Sequence, residues 1–103
     1  EKLFTVTIEF LEYLTDAVSF SDLNGVPSKI RKYSLSIHML FDEGKAPDEI
    51  SALLESIFGK FKHHRELGTV LDSKDKEFIR DSIKQLRKEL AFYINNGVNV
   101  KKK

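Results

Sequence analysis

Apolar residues recur three and four positions apart through most of the chain. Ile30, Tyr33, Ile37, Leu40 and Phe41 form one stripe, and Ile50, Leu53, Leu54, Ile57, Phe58 and Phe61 form another. Ile79, Ile83, Leu86, Leu90, Tyr93 and Ile94 form a third. That spacing places each set on one side of an α-helix. Punctuation agrees. Pro27 and Ser28 open the first of these helices, and Gly44 with Pro47 closes it. Pro47, Asp48 and Glu49 suit the first turn of the next, whose positive end favours acids, and Gly68 suits its C-terminal cap. Asp72 or Ser73 caps the last helix and Asn95-Asn96-Gly97 ends it. Gly59 interrupts its stripe at a cost of about 1 kcal/mol.

The N-terminal segment reads two ways. Phe4, Val6, Ile8 and Phe10 alternate with polar residues, as a strand does. Leu3, Val6, Phe10, Tyr13 or Leu14, and Ala17 keep a helical spacing instead. The alternation stops at Phe10, whereas the helical pattern runs to Phe20, and no second strand is available for pairing. The spacing therefore predicts four helices, over 3–23, 27–43, 47–66 and 73–96. Short connections favour antiparallel neighbours, so the expected fold is all-α: an up-down-up-down four-helix bundle. A single domain is expected over 1–97, followed by a basic flexible tail over 98–103.

Helix one is unusually apolar. Its apolar residues spread over roughly 240° of the helical wheel, whereas helices three and four carry ordinary arcs. Either helix one is central and covered on three sides, or part of it is an exposed contact surface. The second view selects Phe4, Ile8, Leu11 and Val18, together with Leu35, Met39 and Phe92, which lie off the main faces of helices two and four. Aromatic and Met side chains are enriched at such surfaces.

Composition narrows the function. The chain has 103 residues, no Cys and a net charge of +1. Disulfide frameworks and Cys-ligated metal centres are excluded. No apolar run approaches the ~20 residues that cross a bilayer, so no membrane partner is expected. With no signal peptide recognisable, a cytoplasmic location is expected. The near-neutral balance falls short of a dedicated nucleic-acid domain. One pole of the expected bundle nonetheless gathers Lys29, Arg31, Lys32, Lys60, Lys62, His63, His64 and Arg65. That pole is the candidate for an anion or nucleic-acid contact.

Catalytic signatures are sparse. His63 and His64 point ~100° apart on a helix, which does not suit joint ligation of one metal. No Gly-rich phosphate loop or nucleophile elbow is present. Glu9, Glu12 and Asp16 share one face of helix one, as a solvated polar strip. Arg31 and His38 lie two turns apart on a similar face of helix two and can converge on one phosphate. This pair resembles the Arg/His pair of HEPN-class four-helix nucleases, which act on RNA; four residues separate the pair there, and six do here. The resemblance covers that pair alone.

The sequence thus points first to a small non-enzymatic interaction module, of adaptor, inhibitor, immunity-type or regulatory kind. It needs no cofactor and binds a protein partner or itself. Acidic-ligand or nucleic-acid binding at the basic pole is the second reading, and RNA cleavage by Arg31 and His38 the third.

Overall fold

The computed structural model describes residues 2–100. It contains four α-helices in order: α1 (Lys2–Ala17), α2 (Val26–Met39), α3 (Asp48–Leu67) and α4 (Ser73–Asn96), with a 3-10 turn over Asp42–Gly44. No strand occurs among the described residues. Residues 4–10 are helical, as the longer periodicity required.

The local signals at α3 and α4 act as expected, except that Pro47 stands just outside the first turn of α3 rather than within it. Pro47 is extended and precedes α3, with Asp48 and Glu49 in the first turn. Gly68, at φ 71°, ends α3 in the left-handed region. Its N–H donates to the Arg65 carbonyl and that of Thr69 to the His64 carbonyl, which is a Schellman closure. Asp72 caps α4 by accepting from the Asp75 N–H at 2.8 Å.

Helices one and two are shorter than the periodicity suggested. α1 stops at Ala17, not residue 23. The Phe20 N–H reaches back only to the Ala17 carbonyl, and the Asp22 carboxylate accepts from the Asn24 N–H. That side-chain turn offers the backbone an alternative to the helix, and buried Val18 and Leu23 anchor the connection. α2 stops at Met39, not residue 43. Phe41 turns extended and sends its ring into the core, edge-on to Tyr93 with centroids 5.2 Å apart. Glu43 then takes a left-handed φ of 60°, a conformation costly for a residue with a Cβ.

Each helix packs against its chain neighbours, and α1 closes the ring on α4. Consecutive helices run antiparallel. Tyr13, late in α1, stacks near Tyr33 and Lys29 of α2, while Lys2 and Val6 border Met39 and Leu40. Arg31 meets Glu55 across α2/α3, and His64 meets Asp75 across α3/α4. α1 is therefore a corner helix with two neighbours, not a central one. Leu3, Phe10 and Leu14 meet Ile30, Ile37, Ile57, Phe61, Ile79, Leu86 and Leu90 in one core. Thr7 lies 2 % exposed among them, and its hydroxyl has no hydrogen-bond partner. Val98 packs back on the core rather than joining a free tail. Lys101, Lys102 and Lys103 of the expected tail lie outside the described residues.

Candidate functional site

The expected apolar contact set divides. Phe4, Ile8, Leu35 and Met39 are exposed. Leu11 and Val18 are buried in the core and cannot contact a partner, which corrects the sequence expectation. Their burial reflects the corner position of α1. Its core-facing arc is centred between α2 and α4, and so takes in the Leu11 side of the wheel. Phe92 is half-buried, edge-on to Tyr93 at 5.0 Å.

The exposed members occupy separate places. Val6 and Tyr13 mark the edge of α1 that meets α2. At ~100° per residue, Phe4 and Ile8 lie on the opposite edge, beside α4. Met39 borders the α1/α2 groove. On α4, Phe78, Ser82 and Gln85 border α3. The other edge of α4, beside Phe4 and Ile8, carries Lys76, Arg80, Lys84 and Arg87, spaced as one row. None of these four cations has an ion pair among the described residues. The exposed charges of α1 beyond Lys2 are acidic: Glu9, Glu12 and Asp16.

The basic pole also divides. Lys29 lies over the Tyr13 ring, 4.8 Å from its centroid. Lys60 turns to α4, 3.3 Å from Asp75 and over Phe78. His64 is buried and held by the fold, so it is removed from the anion-binding set. His63 is exposed, edge-on to His64. Arg31, Lys32, Lys62 and Arg65 do come together, lining an α2/α3 groove beside Phe58.

His64 sits in a hydrogen-bonded line that sequence reasoning missed. Its Nε2 faces the Asp75 carboxylate at 2.6 Å and its Nδ1 faces the Thr69 hydroxyl at 2.9 Å. The His64 bond, reinforced by Lys60 and opposed by burial, holds the Asp75 carboxyl below the usual carboxylate range. The order hydroxyl, imidazole, carboxylate is that of a proton relay. Here, however, it joins the last turn of α3 to the first turn of α4. The Thr69 N–H is already used in closing α3. His64, Asp72 and Asp75 also place ligand atoms within 4.8 Å of one another. Asp75 already holds His64 and Lys60, and Asp72 holds the Asp75 N–H, so a cation there would displace the Lys60 ammonium. Gly68 and the Asp72 cap were the available signals, because together they place residues 64 to 75 around one tight turn.

Arg31 and His38 each have a fold-holding partner. Arg31 bonds Glu55 at 3.1 Å, with its guanidinium 3.9 Å from the Phe58 centroid. His38 Nδ1 accepts from the Ala46 N–H at 2.9 Å. No family model, curated protein or solved structure matches the chain. No helix among the described residues is long and apolar enough to cross a membrane. Geometry and chemistry alone therefore bear on function.

Proposed function

We propose that the chain is a small non-enzymatic interaction module that pairs with a second copy of itself through its α1/α4 face. The observation that carries this reading is the sorting of charge around exposed apolar residues. Phe4 and Ile8 are 51 % and 42 % exposed. The α4 edge beside them is a row of cations without ion pairs among the described residues, and on α1 the acid Glu12 follows Ile8 by one turn. A two-fold axis along the helices lays α1 of each copy over α4 of the other at the same height. Glu12 then meets Arg80 and Lys84, and Phe4 and Ile8 cover half-buried Ala91 and Ile94. Such a face is self-complementary, as a two-fold interface requires. A flat polyanion would meet Glu12 as well as the cations of α4, so it fits less well.

Light scattering after size exclusion, at low and high salt, tests the reading. The expected result is a dimer that weakens with salt, because opposite charges on the rim steer and hold it. Phe4→Ser with Ile8→Ser yields a monomer. Lys84→Glu weakens the dimer, and adding Glu12→Lys restores it. A wild-type monomer at every concentration overturns the proposal.

A further inference from the structure

The α2/α3 face is left free by pairing through α1 and α4, and it carries a second concentration of charge. Arg31 and Lys32 of α2, with Lys62 and Arg65 of α3, line one open groove of about 400 Å³ beside Ser28 and Phe58. Lys32, Lys62 and Arg65 have no ion pair among the described residues. Arg31 is bound by Glu55, but that bridge is exposed on both sides and yields readily to a stronger anion. Like charges gathered in one groove repel, and a bound anion reverses that cost.

Two further features suit an anion. α2 begins at this groove with no acid in its first turn and no side-chain cap on its N-terminus. Ser28 lies in that first turn, where the helix end is positive, and its N–H alone is left without a backbone acceptor among the described residues, since Pro27 has no N–H and Val26 and Lys29 donate to the Leu23 and Gly25 carbonyls. Arg31 is also preorganised. Its guanidinium stacks 3.9 Å from the Phe58 centroid, so little side-chain freedom remains to be lost on binding.

The layout selects the ligand's shape. The cations close around one groove and do not continue as a track. Beyond it lie exposed Glu55 and Glu66. The whole chain carries only +1. A strand of nucleic acid leaving the groove meets acids, whereas a compact anion does not. We infer that the α2/α3 groove binds a compact phosphate anion, either pyrophosphate or the phosphate group of a small phosphomonoester. Arg31, Lys32, Lys62 and Arg65 supply the counter-charge.

Calorimetric titration with pyrophosphate at constant ionic strength is the test, run beside glycerol phosphate and a single-stranded oligonucleotide. Saturable binding of pyrophosphate is expected, and the glycerol phosphate arm decides whether one phosphate group suffices. Lys62→Gln with Arg65→Gln weakens binding by about tenfold or more. Lys45→Gln with Lys74→Gln removes the same charge outside the groove and leaves binding within about twofold. All four positions are exposed, so both doubles keep the fold, which circular dichroism checks. Absence of saturable binding overturns the inference, and so does equal weakening in the two doubles. Oligonucleotide binding that exceeds pyrophosphate and grows with strand length also overturns it, in favour of nucleic acid. Oligomeric state plays no part in these readouts, so the pairing proposal and this one fail separately.

Discussion

His38 and His64 occupy equivalent places and bond different kinds of partner. Each sits in the last turn of its helix, α2 or α3. Each ties that helix to the next segment of chain. His38 Nδ1 accepts from the Ala46 backbone N–H, which places the ring proton of the neutral imidazole on Nε2. His64 Nε2 faces the Asp75 carboxylate. His38 bonds a neutral backbone amide, whereas His64 bonds a charged carboxylate, the stronger kind of partner. One residue type at one helical position thus gives a link to neutral backbone at one pole and a link to a carboxylate at the other. Partner chemistry decides the difference, and burial scales it: His64 is 6 % exposed and His38 only half-buried.

Substitution separates the two most strongly. His64→Ala leaves a buried gap and strips Asp75 of its nearest partner, at an expected cost of about 3 kcal/mol in urea unfolding. His38→Ala removes one bond to a backbone N–H and costs about 1 kcal/mol. Equal losses would mean that the line from Thr69 through buried His64 to Asp75 adds nothing beyond a single hydrogen bond.

Acid titration comes next in size. The Asp75 carboxyl is held below its ordinary range, first by the His64 bond. A carboxylate with a depressed folded value contributes stability that is fully present above the unfolded value, about 4. That contribution is lost as pH falls through the folded value. Wild-type unfolding free energy is therefore expected to fall more steeply below about pH 4 than that of Asp75→Asn. Parallel curves would remove Asp75 from the acid response. The smallest effect concerns a polar group with burial but no partner. Thr7→Val keeps the shape and discards the unpaired hydroxyl, so a gain of about 1 kcal/mol and a higher Tm are expected. A loss would mean that the hydroxyl is satisfied in solution.

The α3 and α4 bounds were legible because their signals are local. Pro47, Gly68 and Asp72 act through their own backbone or the next turn. The end of α1 was not legible. Periodic apolar residues continue past Ala17, but Val18 and Leu23 are spent on a buried connection instead of another turn. The apolar surplus of α1 was visible in sequence, and half of its outer set, Phe4 and Ile8, is exposed as that surplus suggested. Leu11 and Val18 went the other way because burial depends on where two neighbouring helices stand. The basic pole was visible as a cluster along the chain. Only the side-chain directions separated the groove cations from Lys29, Lys60 and His64.

By itself, the sequence determined that this protein is four helices around one core. The 3.6-residue period and the caps act over a few residues, and short connections leave antiparallel packing as the simple solution. Tertiary structure alone decided which apolar residues remained outside and which cations kept company. It also decided what each histidine bonds. Those outcomes depend on contacts between residues such as His64 and Asp75, or Arg31 and Glu55, that are distant along the chain and meet only when the helices pack.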